Sequence, residues 1–256
     1  MAALEIHQFL CRQDNFAVLI HDAAHGVTAA IDAPETQPIR AALAEKGWRL
    51  THIFTTHHHG DHTAGHEALK AETGCHIVGP KKEAASIPGI DSVVSEGDSF
   101  TFGSTSVRVI ETPGHTLGHV SYWLPEARLV FVGDTLFSLG CGRLLEGDAA
   151  MMWKSLEKLR KLPVETSVYC GHEYTKSNAA FALTIEPENL ALRQRAEEVT
   201  RLRAAGQLTL PVTLGDELAQ NPFFRPDSPE IQLRLGMVGQ PLATIFAEIR
   251  QRKDRF

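Results

Sequence analysis

The chain has 256 residues, 43% hydrophobic and 22% charged, so it can bury a core without disulfide or metal staples. Its formal net charge of −6 excludes wholesale binding of nucleic acid, and no apolar run approaches the ~18 residues that span a bilayer. Cys11, Cys75, Cys141 and Cys170 stand singly and Met1–Ile6 lacks the basic-then-apolar pattern of a secretory signal, so reduced thiols and a cytoplasmic address are expected.

In chain order, Leu4–Leu10, Phe16–Ile20 and Val27–Ile31 read as strands, and Pro38–Glu45 as a helix. Leu50–Thr55 is a strand that runs directly into Thr56-His57-His58-His59-Gly60-Asp61-His62, with a helix expected over Ala64–Glu72. Ser99–Ile110 reads as a hairpin turning near Gly103, and His119–Val132 as a second one turning at Pro125-Glu126-Ala127. Asp148–Lys161 has helical apolar spacing, and Ser167–Cys170 is a short strand. After Tyr174 the strand patterns stop. Lys176–Thr184, Pro187–Ala205, Pro229–Leu235 and Pro241–Arg252 read as helices, with each proline placed to begin one. A boundary near residues 173–176 therefore divides a β-rich α/β domain, 1–174, from a helical domain, 175–256.

Thirteen histidines are many for this length, and they cluster. Alternate side chains of an extended strand share a face, so His57 and His59 point to one place, and Gly60 lets Asp61 and His62 turn in beside them. Imidazole and carboxylate suit zinc, iron or manganese. Three more apolar strands run into a glycine and then a ligand-type residue: Gly114-His115, Gly133-Asp134 and Gly171-His172. Several strand ends converging on one metal cleft would account for the repetition. His58 is expected to face away, and His7, His21, His25, His52, His66 and His76 read as structural. So does His119, with orientation of His115 as its alternative.

Thr-His-x-His-x-Asp-His, then Pro-Gly-His, Gly-Asp-Thr and Gly-His, in that order, resembles the metallo-β-lactamase superfamily over residues 1 to about 174. The resemblance implies an αββα sandwich with a two-metal edge site. His57, His59 and His115 would hold one ion, Asp61, His62 and His172 the other, and Asp134 would bridge them. Asp61 and Asp134 would serve catalysis with a hydroxide shared by two divalent ions, expected to be zinc, with iron or manganese as alternatives. A β-lactamase usually carries cysteine where this chain has Asp134, which disfavours antibiotic hydrolysis.

Gly140-Cys-Gly-Arg143, Gly171-His-Glu-Tyr-Thr175, Asn221-Pro-Phe-Phe-Arg225 and Arg250-x-x-Lys253 extend the likeness, along nearly the whole chain, to the glyoxalase II family of that superfamily. This resemblance implies hydrolysis of S-(2-hydroxyacyl)glutathione thioesters, chiefly S-D-lactoylglutathione, by a monomer. Arg143, Tyr174, Arg250 and Lys253 would bind the glutathione moiety, the last two from one partly solvated helix face. Leu145 stands where the family often has a tyrosine, and it cannot donate that hydroxyl's hydrogen bond. The open alternatives are another esterase, thioesterase or lactonase of the same fold, a mononuclear-iron sulfur dioxygenase, or a binding module without turnover.

Overall fold

A computed structural model describes residues 4–256, so the reading of Met1–Ile6 lies partly outside the described residues. The chain forms two compact units. One holds the described residues up to Glu111 together with Gly118–Gly133. The other holds Thr112–Leu117 and Asp134–Phe256.

The first unit contains β1 (Glu5–Cys11), β2 (Asn15–Asp22), β3 (Val27–Ile31), α1 (Thr36–Lys46), β4 (His52–Phe54), α2 (Gly60–Thr63), α3 (His66–Thr73), β5 (His76–Pro80), β6 (Ser92–Val94), β7 (Ser99–Phe102), β8 (Thr105–Glu111), β9 (Val120–Leu124) and β10 (Leu129–Phe131). β1 to β6 lie in sequence order in one sheet, antiparallel from β1 to β3 and parallel from β3 to β6. Parallel neighbours need a crossover, and α1 and α3 supply two of them. β7 to β10 form an antiparallel meander.

Strand alternation builds two cores from these strands. Ile53 of β4 faces the helices, in a cluster with Leu19, Ile39, Leu43, Leu69 and Ile77. Phe54 faces the meander, with ring centroids 5.1 Å from Phe100, 5.5 Å from Phe102 and 5.6 Å from Tyr122. Phe100 and Phe102 meet the Phe54 ring edge-on, and such pairs add about 0.5–1.5 kcal/mol each beyond burial. The fully buried Tyr122 hydroxyl donates to the Thr55 carbonyl, 2.8 Å away, where β4 leaves the sheet.

The second unit contains β11 (Leu136–Phe137), β12 (Gly140–Cys141), α4 (Ala149–Leu159), β13 (Ser167–Tyr169), α5 (Thr175–Ile185), α6 (Leu190–Ala204), β14 (Val212–Thr213), α7 (Leu214–Gln220), α8 (Pro229–Leu235) and α9 (Leu242–Asp254). The expected helices are present, with shifted starts. Pro229 is a first helical residue behind the Ser228 cap. Pro241 is itself the cap of α9, and α6 begins only at Leu190, where the Asn189 side chain accepts from the Leu192 amide.

Asp22 joins the two sheets of the first unit. Its carboxylate, 1% exposed, accepts the Ser104 amide and hydroxyl, both at 2.7 Å, and the Ala24 and His25 amides. Gly103, at φ +55°, brings the β7–β8 turn so close that any Cβ there would collide with this carboxylate. Burial alone would raise the Asp22 pKa, but the donors from Ser104 and His25 outweigh it and hold the pKa well below the usual carboxylate range. A carboxylate with a depressed folded pKa stabilises fully above its unfolded value, about 3.9, and the gain fades as pH falls toward the folded value. Asp22→Asn should therefore cost about 1–3 kcal/mol at neutral pH. Urea unfolding of metal-free protein should show the deficit in full at pH 7 and shrinking below pH ~4; a deficit independent of pH would contradict this account.

Candidate metal centre

The residues around the first ligand run sit at the carboxyl ends of successive parallel strands, where α/β sheets open their crevices. Asp32 follows β3, Thr55 to His57 follow β4, and Glu83 follows β5. Asp32 is 3% exposed and holds φ +57°. Its carboxylate accepts the Thr56 amide at 2.7 Å, the Thr56 hydroxyl at 2.8 Å and His62 Nδ1 at 2.9 Å.

These bonds fix the protons. A hydroxyl has one hydrogen, and Thr56 gives it to Asp32. His57 Nδ1, 3.0 Å from the Thr56 oxygen, must then be the donor in that pair, which leaves His57 Nε2 as a lone pair. His62 Nδ1 donates to the carboxylate, which likewise leaves its Nε2 as the basic nitrogen. His57 Nε2 faces His59 Nδ1 at 3.1 Å. Asp61 Oδ2 lies 3.7 Å from His62 Nε2, and Asn15 Nδ2 holds the Asp61 carbonyl at 3.0 Å and its Oδ2 at 3.2 Å.

His58 turns to a different partner. Its Nδ1 is 2.9 Å and its amide 2.7 Å from Glu83 Oε2, while Glu83 Oε1 accepts the Gly118 amide. His119 stacks on His57, centroids 4.9 Å apart, and so braces that ring. Gly133, at φ +46°, leaves space that any Cβ would take from His119 and Thr56. His66 is fully buried between Thr55 and Pro88, and burial pushes its pKa down to about 4, in keeping with a packing role.

In the second unit, the buried Asp134 Oδ2 lies 3.4 Å from His115 Nε2 and 3.3 Å from His172 Nε2. His115 Nδ1 is 2.8 Å from the Arg143 carbonyl. A carbonyl can only accept, so Nδ1 carries the proton and Nε2 the lone pair that faces Asp134. The His172 ring stacks on Tyr174, 4.7 Å apart and 6° from parallel, and Phe137 meets both rings edge-on.

His57, His62 and His115 therefore share one arrangement: Nδ1 bound to an acceptor, Nε2 lone pair presented. That is how proteins prepare imidazole for a metal, and a carboxylate oxygen between two imidazole nitrogens suits a shared cation. The donor chemistry fits divalent metal.

The cations read for substrate binding differ in setting. Arg143 is exposed, and Lys253 is half-buried, its Nζ 3.2 Å from the Ser177 carbonyl and 5.2 Å above the Phe181 and Phe256 rings. Arg250 corrects the expectation of a partly solvated pair. It is 4% exposed, with Nη1 donating to the Cys141 carbonyl at 2.9 Å and Nε and Nη2 to Asp254 at 3.0 and 2.8 Å. Spacing placed it on one helix face with Lys253, but it did not show which partners lie under that face. Sequence reasoning also missed Asp32, Thr56, Asn15 and Glu83. The one available signal was a lone acid directly after a strand.

Two family models match the chain. The metallo-beta-lactamase superfamily covers residues 9–172, and the hydroxyacylglutathione hydrolase C-terminus covers 173–256. The crystal structure of ETHE1 from Myxococcus xanthus superposes with a TM-score of 0.68 at 26% identity, over 98% of this chain and 100% of that one. A hydroxyacylglutathione hydrolase of Brucella anthropi is 59% identical over 99% of this chain and 97% of its own length. One from Brucella ovis is 58% identical over 99% and 98%. The chain belongs to the metallo-β-lactamase superfamily and, within it, to the hydroxyacylglutathione hydrolases, the fold and the family that its motifs resembled. It has that fold, with the helical C-terminal region, and it is a metal-binding hydrolase.

The contrast between neighbours is testable. After reconstitution, elemental analysis should find metal lost in His59→Ala and retained in His58→Ala, whose ring serves Glu83. Equal loss in both would overturn this division.

Proposed function

We propose that the chain hydrolyses S-(2-hydroxyacyl)glutathione thioesters, chiefly S-D-lactoylglutathione to D-lactate and glutathione, with two divalent ions. The single observation that carries this reading is the presented Nε2 of His57, His62 and His115, in a chain 59% identical to a hydroxyacylglutathione hydrolase over nearly its full length.

In this reading His57, His59 and His115 hold one ion, Asp61, His62 and His172 the other, and Asp134 serves both. Zinc is the expected metal, and iron or manganese would suit the same donors. When bound, such ions supply a water acidic enough to act near neutral pH and a Lewis acid for the thioester carbonyl.

The chain's own residues do the rest. Asp32, through Thr56 and directly, keeps His57 and His62 in the tautomer that presents Nε2. The Arg143 carbonyl does the same for His115. Water adds to the thioester carbon as it gives up a proton to solvent, the C–S bond breaks with the electron pair leaving on sulfur, and the thiolate takes up a proton from solvent. A thiol pKa of roughly 8.5 lets it leave as thiolate without a strong acid. Cys141 and Cys170 are poor candidates for nucleophiles. Both are buried, burial pushes the Cys141 thiol up to about 11 despite the nearby Arg250, and it raises Cys170 further.

Arg143, Tyr174 and Lys253 are assigned to the glutathione moiety, because its carboxylates need cations. Arg250 serves the same recognition from behind, by holding the Cys141 carbonyl two residues before Arg143. We place the catalytic domain at 1–174 and the substrate-binding domain at 175–256. Four buried, unbridged cysteines support a reducing, cytoplasmic setting. No helix among the described residues is long and apolar enough to cross a membrane.

A substrate panel tests the function. Glutathione thioesters should be turned over far faster than coenzyme A thioesters or lactones, and a preference for either of those would reject the reading. A charged hydrogen bond is worth about 1.5–3 kcal/mol and less where solvent reaches it. Arg143→Ala and Lys253→Ala should therefore each raise KM for S-D-lactoylglutathione roughly three- to thirtyfold with little change in kcat. The effect should weaken as salt rises. KM values equal to wild type in both would remove the recognition assignment.

A further inference from the structure

The hairpin β11–β12 turns on two residues, Ser138 and Leu139, between the paired Phe137 and Gly140. Leu139 holds φ +59°, a left-handed value that is costly for a residue with a side chain. Two-residue turns that need such a value usually carry glycine or asparagine. The pair Ser-Leu has no local preference for this turn, so its surroundings must impose it.

They do so in two ways. The Leu139 side chain is fully buried in a cluster with Ala179 and Ala182 of α5 and Leu192 of α6. Its amide donates to Glu217 Oε2 of α7 at 3.0 Å. The same oxygen accepts Asn221 Nδ2 at 2.8 Å, and that nitrogen also donates to the carbonyls of Phe137 at 3.2 Å and Gly140 at 2.9 Å. Asn178 Nδ2 of α5 holds the Ser138 carbonyl at 3.1 Å. Three carbonyls and one amide of the turn, those of Phe137, Ser138, Gly140 and Leu139, are thus held by side chains of the C-terminal region.

Glu217 is the costly member of this group. It is 1% exposed, and burial pushes its pKa up to about 7, with the donors Asn221, Leu139 and Ser138 and the charge of Arg195 offsetting part of the rise. An apolar side chain of equal size would fill the space without that cost. What Glu217 adds is one oxygen that meets both the amide of the strained residue and the side chain that spans the turn's two ends. Past the hairpin, Gly142 leads to Arg143, whose carbonyl meets His115. The position of the turn therefore sets that of Arg143.

We propose that Glu217 is a positioning residue for substrate recognition: through the Leu139 amide and Asn221 it holds the Phe137–Cys141 hairpin so that Arg143 meets a carboxylate of the glutathione moiety. This rests on the role assigned to Arg143 above. Glu217 touches neither substrate nor metal in this scheme and acts through the hairpin.

The test is steady-state kinetics of the metal-loaded full chain on S-D-lactoylglutathione and on a small thioester lacking the glycine and glutamate ends. Both bonds fall on a single Glu217 oxygen, and a glutamine carbonyl can occupy its place. Glu217→Gln should therefore keep KM within about twofold of wild type. Glu217→Met fills the volume without an acceptor and should raise KM for the glutathione thioester about tenfold. Its kcat, metal content and action on the small thioester should change by no more than about twofold, because the Gly142 amide, 3.2 Å from the Thr135 carbonyl, still anchors the backbone that meets His115. Glu217→Asp draws the carboxylate back by one methylene and should give the same selective loss, and it replaces the Met variant if that one does not fold. Wild-type KM in the Met or Asp variant overturns the proposal. So does a joint loss of kcat, metal and both substrates, the mark of general damage. Arg143→Ala in the same assay separates the two claims. A raised KM there beside a normal Glu217→Met refutes the positioning alone, whereas an unchanged KM in Arg143→Ala refutes the role of Arg143 itself.

Discussion

Asp32 is a nearly solvent-free carboxylate with two oxygens to satisfy, and the way it is satisfied determines the chemistry of the histidines around it. It takes the only hydroxyl proton of Thr56, which forces His57 to donate from Nδ1, and it takes the Nδ1 proton of His62 directly. Two imidazoles are thereby left with Nε2 as the basic atom before any ion arrives. A buried acceptor that selects a tautomer also raises ligand basicity and fixes ring orientation. The parallel half of the first sheet explains why Asp32 can do this. Adjacent parallel strands end side by side, so the residue after β3 meets the residues after β4 without any long excursion of the chain.

The second unit reaches the same end with backbone. The Arg143 carbonyl takes the His115 Nδ1 proton, and that carbonyl belongs to the segment leaving the β11–β12 hairpin. Asn178, Glu217, Asn221 and Arg250 hold the hairpin through buried hydrogen bonds. Moving the hairpin would strand several buried donors and acceptors at once, so these shared bonds favour one geometry. One segment thus presents a ligand nitrogen through its carbonyl and a substrate cation through its side chain.

The parts that were legible in the sequence were those with a period or a repeated order. Strand alternation placed His57 and His59 together and His58 elsewhere, and the structure has His58 on Glu83. The repeated strand-glycine-ligand order pointed to His115, Asp134 and His172, which meet around one carboxylate oxygen. Asp32, Glu83 and Glu217 were not legible, because a single acid after a strand or within a helix looks the same whether solvated or buried. The strands β6, β11, β12 and β14 have only two or three residues, too few for a period to show, and β5 ends in Gly79-Pro80, which reads as a turn. Arg250 was read as a partly solvated cation because helical spacing gives the face of a residue but not what that face covers, and it is in fact 4% exposed.

Titrating metal-free protein with zinc while following hydrolysis of S-D-lactoylglutathione tests the central claim most directly. The account predicts activity that rises to a plateau at two equivalents per chain, since seven donor residues divided between two ions are proposed to act together. A plateau at one equivalent, or full turnover without added metal, would contradict it.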